Sequence, residues 1–176
     1  MERACETDQP GQSVRLVVIV AASSVADIVR DTAQGWPGDP LVLDPTGLSP
    51  AEAGQRKACA FAAASLALAA SGTVSLELAA AGTPMVIAYD MAWLSWQIMS
   101  RMARVDTVTL VNLVTQSHVI PEFLGPNCLP GPIAAALAEL AEHPDSQDAA
   151  LVQTMEALGR GQEPPGLRAA RAVLDG

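Results

Sequence analysis

LALAASGTVSLELAAAGTPMVIAY, residues 66–89, is the stretch on which the fold turns. It opens on a short apolar segment, Leu66 to Ala70, and turns at Ser71-Gly72. A helical stretch from Thr73 to Ala81 follows, stopped by Gly82 and Pro84. Met85 to Tyr89 then reads as a strand without polar alternation, which predicts burial on both faces. A strand–helix–strand unit of this kind is the crossover of a parallel sheet.

The same rhythm extends in both directions. Upstream, Arg15 to Val20 predicts a strand buried on both faces. Ser23-Ser24 offers a cap to a helical pattern through Val25, Ile28 and Val29, which residues 35–38 stop. Leu41 to Leu43 predicts a second strand, and residues 51–64 an alanine-rich helix. Downstream, residues 91–104 predict a helix and Thr107 to Val114 an extended segment, followed by helices near 131–142, 146–159 and 166–174. Alternating short strands and helices predict an α/β fold: a Rossmann-like parallel sheet flanked by helices. Ligands of such sheets bind at the carboxyl ends of the strands, here just after Val20, Leu43, Ala70, Tyr89 and Val114.

Composition narrows the classes of function. The 176 residues are half hydrophobic and carry a net charge of −9, from 19 acids against 10 bases. With a sequence pI near 4.5, the chain has no basic footprint for nucleic acid and no polybasic stripe for an anionic membrane. No apolar run reaches the length that spans a bilayer, and Met1 to Glu6 is polar, unlike a signal peptide. Cys5, Cys59 and Cys128 are scattered and odd in number, which fits a cytoplasmic address better than a disulfide framework. His118 and His143 show no metal-ligand spacing. Residues 1–13 read as a frayed polar tail, 14–145 as the α/β domain, and 146–176 as C-terminal helices that pack on that domain or on a partner.

Ser71, Gly72 and Thr73 are the residues with distinctive chemistry. A glycine turn that opens a helix offers unpaired N–H groups and the positive end of the helix dipole, a ready site for phosphate. Glu77 lies four residues after Thr73, on the same helix face and ~6 Å deeper. A carboxylate there repels phosphate but can accept hydrogen bonds from a ribose diol. The plainer reading is a helix cap at Ser71 or Thr73, with Glu77 a solvated first-turn acid.

Residues 71–89, S-G-T-V-S-L-E-L-A-A-A-G-T-P-M-V-I-A-Y, resemble the nucleotide-binding signature of the lipid A disaccharide synthase family, which are GT-B glycosyltransferases. The likeness continues through residues 101–114 and through Val119-Ile120-Pro121-Glu122-Phe123-Leu124, which resembles the family's V-P-E-L segment. It is strong over about residues 60–145 and looser over 14–60. The resemblance implies transfer of an acylated glucosamine from its UDP carrier, a UDP-diacylglucosamine, to a lipid monosaccharide phosphate. It implies no metal and no cofactor. It puts Ser71, Gly72 and Thr73 against the UDP phosphates, Glu77 against the ribose, and Asn112 and Glu122 in the donor cleft. Read from the residues alone, Asn112 could equally end a strand in a turn, and Glu122 could start a helix after Pro121.

By the same resemblance the chain corresponds to the second of two Rossmann-like halves, without the strand and P-G-S-R-type loop that open it. No catalytic residue is expected in the chain, and turnover would need the N-terminal acceptor half, in cis or in trans. The expected location is cytoplasmic, with contact to the inner membrane made through that other half. Met91 to Met99, rich in Met and Trp, is expected to be core, an acyl path or an interface, and self-association is a further expectation. Three positions depart from the family pattern: Val111 stands for a proline, Asp90 for a basic residue, and Gly125 for a glutamine. Asp90 and Val111 favour a competing reading, a non-catalytic module that binds a partner chain; against a further alternative, half of another UDP-sugar enzyme, stand the asparagine segment and the V-I-P-E-F spacing.

Overall fold

The computed structural model describes residues 14–90, 107–161 and 165–174. The expected tail over residues 1–13 and the expected helix over 91–104, with its Met–Trp segment, lie outside them. Among these residues the strands and α-helices follow in order: β1 (Val17–Ile19), α1 (Ala26–Ala33), β2 (Leu41–Leu43), α2 (Pro50–Ala63), β3 (Ala67–Ala69), α3 (Val74–Ala81), β4 (Met85–Tyr89), α4 (Leu110–Thr115), β5 (Glu122–Leu124), α5 (Pro130–Glu142), α6 (Asp148–Ala157) and α7 (Pro165–Leu174). Among the described residues strands and helices alternate as far as β5 and the three strand pairs are parallel, so the chain has the expected Rossmann-like α/β architecture.

The sheet comes in two pieces. β1 pairs with β2, Val17 opposite Leu41, and β3–β4–β5 forms a separate three-stranded piece. There Ala67 stands opposite Met85, and Ile87 opposite Glu122. β4 is the central strand of its piece. Met85, Val86 and Ile87 are inaccessible to solvent, as their unbroken apolar run predicts. The core gathers on β4: Leu78 and Ala79 of α3, Val111 of α4, Ile120, Phe61 of α2 and Leu151 of α6 pack with Met85 and Ile87. Ile19 of β1 and Ala67 and Ala69 of β3 pack against the same cluster.

Local chemistry explains the best-formed helix start. Ser49 precedes Pro50 and forms a capping box: its hydroxyl accepts from the Glu52 amide, and the Glu52 carboxylate accepts from the Ser49 amide at 2.9 Å. Gln147 supplies a connection that sequence reading does not see. Its side-chain oxygen accepts from the Met85 N–H and its amide donates to the Met85 carbonyl, both at 2.8 Å, so it extends the ladder on the β5 side of β4 like a one-residue strand.

Four expectations need correction. Thr107 to Val114 is not an extended segment, because helix α4 begins at Leu110. The β-branched run favours a strand, but the Glu122 carboxylate holds the amides of Val108 and Thr109 and so organises a helix start. The fifth strand is β5 at Glu122–Leu124, so Glu122 does not open a helix after Pro121. Ser23 and Ser24 do not cap α1: a short 3-10 turn, Ser23–Val25, intervenes, with no side-chain cap at either element. Finally, Val17 in β1 is 45% exposed rather than buried on both faces, and Leu68 in β3 is 40% exposed.

Candidate functional site

The turn at the end of β3 has the form an anion site needs. Gly72 takes φ +131°, a conformation that residues with a Cβ rarely adopt, and this lets the chain reverse between strand and helix. The Gly72 carbonyl accepts from the Ser75 N–H at 3.3 Å and from the buried Ser75 hydroxyl at 2.9 Å. The Thr73 carbonyl accepts from the amides of Leu76 and Glu77. Those bonds satisfy the later N–H groups of the first turn of α3. Among the described residues, the N–H groups of Gly72, Thr73 and Val74 have no partner. No side chain caps the helix at Thr73, and the Ser71 and Thr73 hydroxyls make no hydrogen bond among the described residues, so the plain capping reading does not hold.

Glu77 is not a free surface acid. Its carboxylate pairs with Lys57 of α2 at 2.6 Å, both side chains about two fifths exposed. An exposed pair of this kind contributes at most about 1 kcal/mol to stability. The pair places the Glu77 carboxylate beside α2, one turn into α3 from the turn at Gly72. Lys57 is a partner of a candidate site residue that sequence reading missed. It lies in a different helix, and no local pattern links it to Glu77.

Asn112 and Glu122 meet in a network of their own. The Asn112 amide donates to the Ile120 carbonyl at 2.9 Å, and its oxygen accepts from the Ile120 N–H at 3.0 Å. Asn112 is buried, with both ends of its amide engaged by the protein. The Glu122 carboxylate accepts from the Thr107 hydroxyl at 2.5 Å, the Val108 amide at 3.2 Å, the Thr109 amide at 2.7 Å and Asn112 at 3.3 Å. Burial alone would raise the Glu122 carboxyl, but the donors from Thr107, Thr109 and Val108 outweigh it and hold the group below its ordinary value. Together these two residues clamp α4 to β5.

The other strand ends are occupied or differently charged. Asp44, after β2, is bonded to Thr46 and paired with Arg30, which together hold its carboxyl below the ordinary range. Asp90, after β4, stands close enough to Cys128 that its charge, added to burial, raises the thiol. Val111 is a fully buried core residue in the first turn of α4, where a proline would also be tolerated. Gly125 has φ +51°, a left-handed position that glycine adopts without the cost a glutamine would bear.

Replacing Gly72 by alanine tests the turn. The forced positive φ costs roughly 1–3 kcal/mol or is relieved by a rearranged turn, which would turn the Thr73 and Val74 amides away. If the turn is an anion site, the expected result is a folded chain whose affinity for a phosphate-bearing ligand drops about tenfold or more in a calorimetric titration, since about 1.4 kcal/mol is a factor of ten. Unchanged affinity would remove the turn from the binding site.

Comparison with known proteins bears on the whole of this region. A family model described as lipid-A-disaccharide synthetase matches residues 46–167. The lipid-A-disaccharide synthase of Ruegeria pomeroyi is 62% identical over 159 residues, which cover 90% of this chain and 40% of that protein. Those of Rhodospirillum centenum and Paramagnetospirillum magneticum are each 39% identical, covering 90% of this chain and 38% and 40% of theirs. The chain thus spans about two fifths of the length of these relatives.

Proposed function

The chain belongs to the lipid-A-disaccharide synthase family, and from that premise we propose that it binds the UDP-sugar donor of a glycosyl transfer in lipid A biosynthesis. The observation that carries the proposal is the first turn of α3. Unpartnered N–H groups at Gly72, Thr73 and Val74 stand above a carboxylate, Glu77, that a lysine holds in place. The amides and the Ser71 and Thr73 hydroxyls receive the diphosphate, which the helix dipole favours. The Glu77 carboxylate accepts from the ribose hydroxyls, a charge-assisted bond stronger than a neutral one. Lys57 keeps that carboxylate aimed and lowers its repulsion of the diphosphate.

Asn112 and Glu122 shape the donor cleft in this proposal by anchoring α4 against β5. The sugar donor is a UDP-diacylglucosamine, and the acceptor is a lipid monosaccharide phosphate bound by the part of the enzyme that this chain does not cover. No residue of this chain takes a catalytic role, and turnover requires that other part. No helix among the described residues is long and apolar enough to cross a membrane. Asp90, acidic where the family pattern is basic, favours the second reading of a module that has lost its donor and binds a partner chain.

Calorimetric titration with UDP, with ADP in parallel, separates the two. Donor binding predicts saturable UDP heat and a much weaker response to ADP. Glu77→Ala is expected to weaken UDP about tenfold or more, the worth of a charge-assisted pair of bonds. Absence of UDP heat from the intact chain would favour the partner module.

A further inference from the structure

The glutamates of this fold are anchored in two ways. Glu52 accepts from the amide and the hydroxyl of Ser49 at 2.9 and 2.6 Å, and Glu122 accepts from Thr107, Val108, Thr109 and Asn112. Backbone amides and short side chains thus fix both. Glu77 differs: among the described residues its carboxylate has one partner, the ammonium of Lys57 at 2.6 Å. Lys57 is the sole lysine of the chain. The helix that carries it is fixed at both ends. α2 starts at the Ser49 capping box, and the Thr83 hydroxyl, just beyond α3, donates to the Phe61 carbonyl at 2.7 Å. Phe61 belongs to the core and lies one turn after Lys57 on the same face of α2. Lys57 therefore rises from an anchored backbone, whereas Glu77 is a long flexible side chain with a single tether. An untethered carboxylate loses rotamer freedom each time it accepts from a ligand; a tethered one has already lost it.

We propose that Lys57 is a specificity-determining residue: by holding Glu77 it gives the site its preference for a nucleotide with ribose hydroxyls over one without them. This role rests on the donor reading above, in which Glu77 accepts from the ribose. Lys57 is a positioning residue, since it acts through Glu77 and touches neither the ligand nor the reacting atoms. The ammonium takes Oε2 of the carboxylate, which leaves Oε1 as the acceptor with no partner among the described residues and fixes its direction. Without Lys57 the Glu77 side chain is released at a position about two fifths exposed, and its bonds to the hydroxyls weaken by the freedom it must then give up. The diphosphate end is untouched, because the amides of Gly72, Thr73 and Val74 do not depend on the lysine. An exposed ion pair adds little to stability, so the loss of Lys57 leaves the fold intact and shows in selectivity.

Calorimetric titration of the full chain with UDP and with 2′,3′-dideoxy-UDP reads that preference. The two ligands carry the same diphosphate, so any change in its repulsion by Glu77 cancels in the ratio of their affinities. The native chain is expected to favour UDP about tenfold or more, and Lys57→Met to favour it about threefold or less. Lys57→Arg keeps a cation that bonds carboxylates and is expected to restore most of the preference. Both variants are expected to unfold in denaturant at the native midpoint. A second measurement needs no nucleotide. Reductive methylation with isotope-labelled formaldehyde leaves the ammonium charged and gives the sole lysine its own side-chain NMR signal, which is expected to move in Glu77→Gln. A signal that stays in place means that the pair is absent in solution, which overturns the role of Lys57 and leaves the donor reading standing. A preference unchanged in Lys57→Met does the same, as does one lost equally in Lys57→Met and Lys57→Arg. A native chain that binds UDP no better than its dideoxy analogue, or binds neither, overturns the ribose reading itself and the role of Lys57 with it.

Discussion

Replacing Glu122 by alanine lowers the stability of the chain by about 3 kcal/mol, as read by denaturant unfolding. Its carboxylate accepts four hydrogen bonds, from Thr107, Val108, Thr109 and Asn112. Thr107, Thr109 and Asn112 are buried, so removing the acceptor strands donors that water cannot readily reach. Hydrogen bonds to a charged group contribute about 1.5–3 kcal/mol each when isolated, and a shared acceptor gives less than their sum. The loss should concentrate at the start of α4, which these bonds organise.

The same carboxylate makes stability depend on pH. Its folded value lies below the ordinary 4.5, so it contributes stability that is fully present above that value. The contribution disappears as pH falls through the lower, folded value. The stability difference between the native chain and Glu122→Ala is therefore expected to be constant near neutrality and to shrink below pH ~4.5. A difference that persists undiminished under strong acid would show that the bonds do not depend on ionised Glu122.

Gln147→Ala has an effect of comparable size for a different reason. The side chain is 1% exposed and occupies both the N–H and the carbonyl of Met85, itself inaccessible to solvent. Alanine leaves two buried backbone groups unpaired, each costing about 1–3 kcal/mol, and opens a small cavity beside β4. The expected loss is about 4 kcal/mol in denaturant unfolding, with amide hydrogen exchange accelerated at Met85. A loss below about 1 kcal/mol would mean that water replaces the glutamine, and that α6 is not fastened to the sheet through this residue.

Sequence reading succeeded where the information is local. The turn after β3 is legible because strand, glycine and helix follow one another within a dozen residues, and β4 is legible because Met85 to Tyr89 lacks alternation. It failed where a distant group decides. Thr107 to Val114 has the composition of a strand, and Glu122 turns part of it into a helix across the fold. β5 is three residues between Pro121 and Gly125, too short for any periodicity. Lys57 and Gln147 act on partners in other elements, and nothing beside them in the chain marks them out. The exposure of Val17 and Leu68 depends on which strands pair, a property of the whole sheet rather than of either segment.

The central claim is that the first turn of α3 receives the diphosphate of a uridine nucleotide while Glu77 receives its ribose. Amide chemical shifts of the intact chain during a UDP titration test it most directly, with ADP as control. The account predicts saturable shifts centred on Gly72, Thr73, Val74 and Glu77, lost in Glu77→Ala and weak with ADP. Shifts that saturate elsewhere, or no saturable change at millimolar UDP, would contradict it.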